Sequence, residues 1–594
     1  MGYIRNKVFY TDTDMLHGGF SPYAVVLSEN PSDVEIYAAE ELIRLFKEST
    51  GVELPKMKDK ETQYNFVAYY FSIGKTTLYR ELEKDHAFLN EEAYPHGDNV
   101  RLFTKGNLFF FAGNGAGPIL SVYEFCEKVL GYKYFHETEW TIGSFTELKV
   151  PVLDVEYHPN FPRRALGFYD TERDYNYVRR LKLCNTLYSG WIENAHTYFK
   201  LLPKSKYFET NPEWYSPDGN NLCLSNESMK EEFSRAVIER IKESSDKLFM
   251  LGQEDTFEFC SCPKCRKKIA EYGGRSSGLA MEFTNSVARE VAAYFKNDPD
   301  KKDVKLVSFA YNSTYMPPAF YDKCKGKYVP LTKEVIAEKN VAVMVVPYNA
   351  LYSASFVDSE MNAHIKEALY GWQAISEDIM IWSYCTIYQN YMIPFNNWRT
   401  VKENYDILKN IGVTFFYDAA SYDTPVASFE ELRQYVHAAL MWGTEKSTSE
   451  IIHEFCEAYY GEAAPCMEYV IEMQIARAYY NEGVYKKYTG YSFDSFNELM
   501  DRKLWTKEYV MQMEEVFSTA KQLVKLSARK ELLLDRIEKE YSTIMFLKLK
   551  LYPEICDNFD ELEKEFVSIR KKHSLYRLVE RDDSFEKQIL KDEK

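Results

Sequence analysis

Short apolar segments alternate with amphipathic helical segments between about residues 158 and 445, and this alternation limits what the chain can fold into. It is typical of a parallel sheet whose strands are connected by helices. The candidate strands number eight if the last is counted: residues 165–169, 185–191, 248–252, 305–311, 341–346, 379–384, 413–418 and, as an open eighth, 438–442. Eight strands over about 280 residues match the count and size of a (β/α)8 barrel. The sequence therefore predicts an α/β fold with a TIM-like (β/α)8 barrel over residues 154–445.

Both flanks of the predicted barrel differ from it in pattern. Residues 1–153 contain strand segments and a helical segment, 34–50, whose apolar residues fall at helical spacing before Gly51 ends it. After about residue 429 the strand patterns cease, and residues 446–594 contain long segments with helical periodicity. We therefore expect an N-terminal α/β domain over 1–153 and a C-terminal helical domain over 446–594.

The composition excludes several classes of partner. The net charge is −17 and Lys and Arg do not cluster, which argues against a nucleic-acid partner. No stretch approaches the roughly 18 apolar residues of a membrane span, and the N-terminus lacks the apolar core of a signal peptide. We therefore expect no membrane association and a cytoplasmic location, although an exported parent with a trimmed signal stays open. The sequence does not give the oligomeric state.

Aromatic and polar residues follow most of the candidate strands. In a parallel barrel the loops after the strands converge on one mouth, where catalytic side chains lie. Aromatic rings stack on sugar faces and carboxyl groups carry acid–base chemistry, and aromatic residues make up 16% of this chain. We therefore predict a carbohydrate site whose substrate-binding residues are Asp170, Trp191, Glu193, His196, Tyr311, Asn312, Trp382, Tyr384 and Asp418.

The segment after the strand at 248–251 carries two adjacent carboxyl groups, Glu254 and Asp255. Two close carboxylates disfavour double ionisation, so one of them gains a raised pKa suited to a general acid. Neighbouring residues on a regular strand point to opposite faces, so either residue could face the site alone. The alternative interpretation is that the pair caps the following helix.

Three cysteines, Cys260, Cys262 and Cys265, follow within ten residues of this pair. Three thiolates at such short spacing are candidate ligands for a structural zinc ion. The alternatives are three reduced thiols or one disulfide.

Several motifs together resemble a known family. They are His196-Thr-Tyr-Phe-Lys-Leu-Leu-Pro, Asn211-Pro-Glu-Trp-Tyr, Asn221-Leu-Cys-Leu-Ser-Asn, Gly252-Gln-Glu-Asp, Cys260-x-Cys-x-x-Cys, Ile381-Trp-Ser-Tyr, Pro394-Phe-Asn-Asn-Trp and Tyr459-Tyr-Gly-Glu-Ala-Ala. This set resembles domain-of-unknown-function family 4838, which is similar to glycoside hydrolases and includes the endo-β-N-acetylglucosaminidases of glycoside hydrolase family 163. The resemblance implies an N-terminal domain like those of α-glucuronidases and β-hexosaminidases, then a barrel and a helical tail.

The same resemblance implies an activity and a ligand set. It implies retaining hydrolysis of β-linked N-acetylglucosamine in N-glycans, assisted by the 2-acetamido group of the substrate, with no catalytic cofactor. Glu254 is then expected as the general acid and Asp255 as the group that orients the acetamide, with Glu193 and Asp418 in reserve. Cys223 becomes a fourth cysteine for a structural zinc ion.

Two departures and two rival functions stay open. Trp382-Ser383-Tyr384 stands where Trp-Asp-Tyr is expected, which puts the sugar specificity in doubt, and Glu254 stands where many members carry Asn. One rival is a non-catalytic carbohydrate-binding barrel. The other is a hydrolase of uronic-acid glycosides, whose acidic substrate would need an arginine from the set Arg163, Arg164 and Arg173.

Overall fold

An α/β layer forms the N-terminal part of the protein, whose computed structural model describes residues 8–62, 68–83, 97–184, 195–493 and 496–585. Its main sheet has the strand order 154–157, 100–105, 108–112, 70–73, 24–27 and 56–58 in the described part of the chain. The predicted helix at 34–50 is confirmed: it begins after a capping box formed by Ser32 and Glu35 and ends at Gly51, whose φ is 77°. The elements are β1 (Phe9–His17), β2 (Ala24–Leu27), α1 (Asp33–Thr50), β3 (Lys56–Lys58), β4 (Tyr70–Ile73), α2 (Thr77–Glu83), β5 (Val100–Lys105), β6 (Leu108–Ala112), α3 (Gly117–Val129), β7 (Lys133–His136), β8 (Glu139–Thr141), β9 (Glu147–Val152) and β10 (Asp154–Tyr157).

A curled parallel sheet with flanking helices follows. Its described strands lie in the order β11, β18, β17, β16, β13, β12, and every neighbouring pair is parallel. The elements of this part are β11 (Arg163–Gly167), α4 (Tyr175–Arg180), α5 (Tyr198–Leu201), α6 (Lys204–Tyr207), α7 (Glu227–Glu243), β12 (Leu248–Leu251), α8 (Pro263–Glu271), α9 (Ser276–Tyr294), β13 (Lys305–Ala310), β14 (Ala319–Asp322), β15 (Lys327–Pro330), β16 (Val341–Val345), α10 (Ala363–Gln373), β17 (Ile379–Tyr384), α11 (Val401–Ile411), β18 (Phe415–Ala419) and α12 (Glu430–Trp442).

The prediction of an eighth strand at 438–442 is wrong, because these residues form the last turns of α12. Ala, Leu and Met favour a helix, and a short apolar run suits a buried helix as well as a buried strand. The sheet also leaves no place for this strand, since β11 pairs directly with β18 from Arg163 opposite Phe415 to Gly167 opposite Ala419. The predicted second strand, 185–191, lies outside the described residues.

Helices alone form the regular elements of the described C-terminal part. They are α13 (Thr448–Tyr460), α14 (Ala464–Tyr485), α15 (Phe496–Leu499), α16 (Lys507–Leu523), α17 (Lys530–Leu551) and α18 (Phe559–Lys572). Helix α14 packs on α13 and α16, and α17 packs on α16 and α18. Among the described residues, no helix combines the length and the apolar character that a membrane crossing requires.

The two faces of the parallel sheet have different surroundings. On β17 and β18, the rings of Trp382 and Tyr417 meet edge to face at 5.0 Å on the face turned away from the helices. Their strand neighbours Ser383 and Asp418 point the other way, and Asp418 contacts α11 and α12. We call the face that carries Trp382 and Tyr417 the inner face.

Candidate active site

Aromatic side chains line the inner face near the C-terminal ends of the strands, and we call this region the mouth. From its floor towards its rim, the ring of Trp382 lies 6.4 Å from that of Phe309, which lies 5.2 Å from Tyr311. Tyr311 in turn meets Tyr348 edge to face at 5.3 Å. Because all the strands are parallel, the residues that follow them share this edge. Tyr311 and Trp382, two of the predicted substrate-binding residues, belong to this arrangement, and their role in binding stays a prediction.

Asp255 faces the mouth and is exposed. Its Oδ1 accepts a hydrogen bond from Asn312 Nδ2 at 3.3 Å, and the Tyr311 hydroxyl also donates to this carboxylate. Burial, followed by the charge of Asp255, raises the pKa of Tyr311, so this hydroxyl stays protonated and remains a donor. Two donors from the loop after β13 therefore fix the direction of the Asp255 carboxylate.

Glu254 turns towards a different loop. Its Oε1 accepts a hydrogen bond at 2.9 Å from the backbone N–H of Phe199, in the first turn of α5. Burial raises the pKa of Glu254 and nearby Asp255 adds to the rise, against lowering by the Phe199 N–H, His196 and Lys200. Glu254 therefore keeps a proton to higher pH than an ordinary glutamate does.

His196 supports the backbone just before these carboxyl groups. Its Nδ1 lies 2.6 Å from the carbonyl oxygen of Gln253, and its ring packs edge to face on Phe309 at 5.6 Å. The ring of Tyr311 lies 5.9 Å from the His196 ring. His196 thus lies beside the aromatic rings of the mouth with one nitrogen used to hold the strand end, and its role in substrate binding stays a prediction.

Sequence reasoning missed Glu172, in the turn after β11. Its Oε1 accepts a hydrogen bond from the Tyr417 hydroxyl at 3.1 Å, and its Oε2 is buried without a hydrogen-bond partner in the described structure. Burial raises the pKa of Glu172 to about 7, although Tyr417 and Arg173 lower it. The available signal was the acidic run after the first strand, from which the sequence analysis took only Asp170.

Phe493 also escaped prediction, because it comes from the helical region. Its ring is 44% exposed, meets Tyr384 edge to face at 5.2 Å and stacks on Tyr388 at 5.3 Å. Backbone hydrogen bonds tie its segment to the loops of the sheet, from Tyr352 N to Gly490 O at 2.8 Å, from Tyr388 N to Ser492 O at 2.9 Å and from Asn396 N to Thr489 O at 3.0 Å. Phe493 is far from the strands in sequence, so no sequence pattern linked its ring to the mouth.

Two predicted site residues have their side chains elsewhere. The Asp418 carboxylate lies between the sheet and its helices, 2.6 Å from the Tyr405 hydroxyl and 2.7 Å from His437 Nδ1. It points away from the mouth because Tyr417, one residue earlier, takes the inner face. Burial raises the pKa of Asp170, which Lys539 lowers, so Asp170 lies towards α17. Trp191 and Glu193 lie outside the described residues.

The arginines considered for an acidic substrate lie on β11 and in the turn that follows it. Arg163 is the first residue of β11, at the opposite edge from the mouth, beside a cavity of about 640 Å³ formed by the N-terminal strand ends. Arg164 is buried and bound to Asp98, with Nη2 3.2 Å from Oδ2. Arg173 alone of the three lies after β11, where its Nη1 donates to the carbonyl oxygens of Tyr169 and Tyr422.

Four cysteine sulfur atoms converge beside the Glu254–Asp255 loop. The sulfur atoms of Cys223, Cys260, Cys262 and Cys265 all lie within 4.8 Å of one another, and no disulfide joins them. Cys223 Sγ is 3.6 Å from Cys262 Sγ and 3.8 Å from Cys265 Sγ. A tetrahedral zinc with bonds of about 2.3 Å separates its sulfur ligands by roughly 3.8 Å. The donor set therefore fits a zinc ion.

One protein family matches the part of the chain that contains the parallel sheet. The family described as "Domain of unknown function (DUF4838)" matches residues 136–472, which is more than half of the chain. A search of curated proteins finds no match to this sequence.

Solved structures show only distant likeness. The β-N-acetylhexosaminidase from Bacteroides fragilis NCTC 9343 is 12% identical with a TM-score of 0.37, over 79% of this chain and 94% of that chain. A family 89 glycoside hydrolase from Clostridium perfringens is 10% identical with a TM-score of 0.41, over 91% of this chain and 65% of that chain. The GH20 β-N-acetylhexosaminidase from Streptomyces coelicolor A3(2) is 11% identical with a TM-score of 0.38, over 78% and 94%.

Proposed function

The chain belongs to the DUF4838 family, and from the geometry of its mouth we propose that it is a glycoside hydrolase acting on β-linked N-acetylglucosamine in glycans of the N-glycan type. One observation carries the proposal: the adjacent carboxyl groups of Glu254 and Asp255 lie at the open edge of a parallel sheet lined by aromatic rings. Rings of this kind stack on sugar faces, and paired carboxyl groups perform glycosidic acid–base chemistry.

The proposed reaction divides the work between the two carboxyl groups. Glu254, protonated because burial raises its pKa, donates its proton to the glycosidic oxygen as the bond to the anomeric carbon breaks. The 2-acetamido oxygen of the substrate attacks that carbon, while Asp255 accepts a hydrogen bond from the acetamide N–H. Water then opens the cyclic intermediate and returns a proton to Glu254, so the configuration is retained.

The chain's own residues prepare Asp255 for this role. The donors Tyr311 and Asn312 hold its carboxylate at the mouth before substrate arrives, so its orientation costs little during the reaction. Asp255 also has a free acceptor direction, because it is exposed. A uronic-acid substrate is less well supported, since Arg164 is bound to Asp98 and Arg173 donates to the carbonyl oxygens of Tyr169 and Tyr422.

Aryl glycosides test this proposal. Wild-type protein should release the aryl group from β-N-acetylglucosaminides and cleave N-glycans, and Glu254→Gln should lower turnover of N-glycans by a factor on the order of 10² to 10⁴. A good leaving group needs little protonation, so activated aryl glycosides should partly rescue Glu254→Gln but not Asp255→Asn. Glycan binding without hydrolysis by the wild type would favour a non-catalytic binding barrel instead.

We further propose that Cys223, Cys260, Cys262 and Cys265 hold a structural zinc ion. Cys260 follows the catalytic loop and Cys262 caps α8, so a metal here would fix the loop that carries Asp255. Purified, unchelated protein should contain about one equivalent of zinc, and Cys262→Ser should lose both metal and thermal stability. Cys466→Ser, at a partly buried cysteine outside the group, is the control. Reduced protein without metal would refute this assignment.

A further inference from the structure

The turn that carries Glu172 is held rigidly on β11. The Thr171 hydroxyl donates to the carbonyl oxygen of Leu166 at 2.6 Å. The backbone N–H of Glu172 donates to the carbonyl oxygen of Phe168 at 3.1 Å. Arg173 is fixed in turn by the carbonyl oxygens of Tyr169 and Tyr422. The position of Glu172 therefore does not depend on a bound ligand.

Gly167 lets Tyr417 reach this carboxyl group. A Cβ atom at residue 167 would lie only 2.2 Å from the Tyr417 hydroxyl, so a larger side chain would displace it. With glycine there, the hydroxyl donates to Glu172 Oε1 from the floor of the mouth, beside the ring of Trp382. The Glu172 carboxyl group thus lies near the ring of Trp382, on which a sugar ring would stack.

Two polar atoms in this part of the mouth lack partners in the described structure. They are Glu172 Oε2, an acceptor, and Trp382 Nε1, a donor, and both are buried. A buried polar atom without a hydrogen bond costs about 1–3 kcal/mol, so such atoms are uncommon unless a ligand or water completes them. A sugar hydroxyl both donates and accepts, and therefore can satisfy either atom.

We propose that Glu172 Oε2 and Trp382 Nε1 bind hydroxyl groups of the sugar ring that occupies the mouth, with Tyr417 as the residue that positions Glu172. This rests on the proposed function and assigns Glu172 to substrate binding, separate from the proton transfer at Glu254. The ionised carboxylate accepts a stronger hydrogen bond than the neutral acid. In the described structure its charged and titratable neighbours are Tyr417 and Arg173, which both favour ionisation, while burial opposes it.

Binding of N,N′-diacetylchitobiose to Glu254→Gln protein, measured by calorimetry at pH 6 and pH 8, tests the inference without turnover. Addition of Glu172→Gln should weaken binding at pH 8 by about 10-fold or more, as expected for loss of a charge-assisted hydrogen bond. Affinity should fall from pH 8 to pH 6 in the parent and change little in the Glu172→Gln variant. Tyr417→Phe should move the midpoint of this fall to higher pH, because its hydroxyl lowers the pKa of Glu172.

The control is Glu209→Gln, at an exposed glutamate between α6 and α7, which should bind as the parent does. Thermal melts establish that each variant is folded. Equal binding by the parent and Glu172→Gln at both pH values would overturn the inference. If wild-type protein binds the sugar through Glu172 but hydrolyses no glycoside, the proposed function fails and this inference stands. If the wild type hydrolyses glycosides but Glu172→Gln leaves binding unchanged, the proposed function stands and this inference fails.

Discussion

Two of the regions that contain buried ionisable groups differ in how those groups are paired: the mouth, and the junction where α12 and α17 meet the β7–β8 hairpin. At the junction, Lys539 Nζ lies 2.6 Å from Glu431 Oε1, and Arg536 Nη1 lies 2.8 Å from Glu139 Oε2. All four groups are buried and each has an opposite charge beside it. In the mouth, Glu172 Oε2 has no partner in the described structure.

This difference in pairing distinguishes ionisable groups that stabilise the fold from ionisable groups that are suited to binding a ligand. Burial lowers the pKa of Lys539, but Glu431 and Glu430 outweigh it and raise this pKa well above its ordinary value, so the ammonium stays charged. Burial dominates at Glu172 and raises its pKa to about 7. Charged pairs of the first kind join the N-terminal part, the part that contains the parallel sheet and the helical part, whereas an incompletely paired carboxyl group is suited to binding.

Removal of the junction ammonium should have the largest effect on stability. Lys539→Met leaves buried Glu431 without its cation, which should lower the free energy of unfolding by about 3–5 kcal/mol. Denaturant or thermal unfolding measures this loss. Lys525→Met, at an exposed lysine after α16, is the matched control and should change stability by less than about 0.5 kcal/mol. An equal, small change in both variants would contradict the structural role of the junction.

Removal of the Glu172 carboxyl group should have the opposite effect and stabilise the protein. Because the folded-state pKa of Glu172 is raised, the folded protein binds more protons than the unfolded chain between about pH 4.5 and 7, and stability falls as pH rises through this window. Glu172→Gln should therefore raise the free energy of unfolding by about 1–3 kcal/mol above pH 7, and by little below pH 4.5.

Thermal melts of wild type and Glu172→Gln across this pH range measure the difference. Destabilisation by Glu172→Gln at pH 8 would place Glu172 with the structural charges of the junction. The comparison between the two regions would then fail.

The parallel sheet could be predicted from sequence because its strands are continuous apolar runs. The strands β12, β13, β16, β17 and β18 each fall within or largely overlap a predicted segment. The segment 438–442 is also an apolar run, but its Ala, Leu and Met residues continue the helix that began at Glu430. Periodicity alone does not distinguish a short buried helix segment from a buried strand.

The site could be predicted only where it follows a strand directly. Glu254, Asp255, Tyr311 and Asn312 come immediately after β12 and β13, so the parallel sheet brings them to one edge. Asp418 differs from Tyr417 by one residue, and that step decides which face of the sheet a side chain takes. Glu172 reaches the mouth through a turn, and the acidic run that contains it does not show which carboxyl group turns inward.

Phe493 gives the smallest predicted effect and tests whether the helical region contributes to the mouth. Its exposed ring beside Tyr384 and Tyr388 offers a stacking surface, so Phe493→Ala should raise the KM for N-glycans by about 5- to 10-fold and leave kcat nearly unchanged. Steady-state kinetics measures this split.

Phe20→Ala removes an exposed phenylalanine from the N-terminal part and is the control, with no expected change in KM. Phe493→Tyr keeps a ring for stacking and should restore most of the lost affinity. A KM that stays constant while Phe493→Ala strongly destabilises the protein would move Phe493 from the mouth's binding surface to the structural contacts of the kind found at the junction. That result would mean that the backbone hydrogen bonds of residues 489–492 serve only to dock the helical region on the sheet.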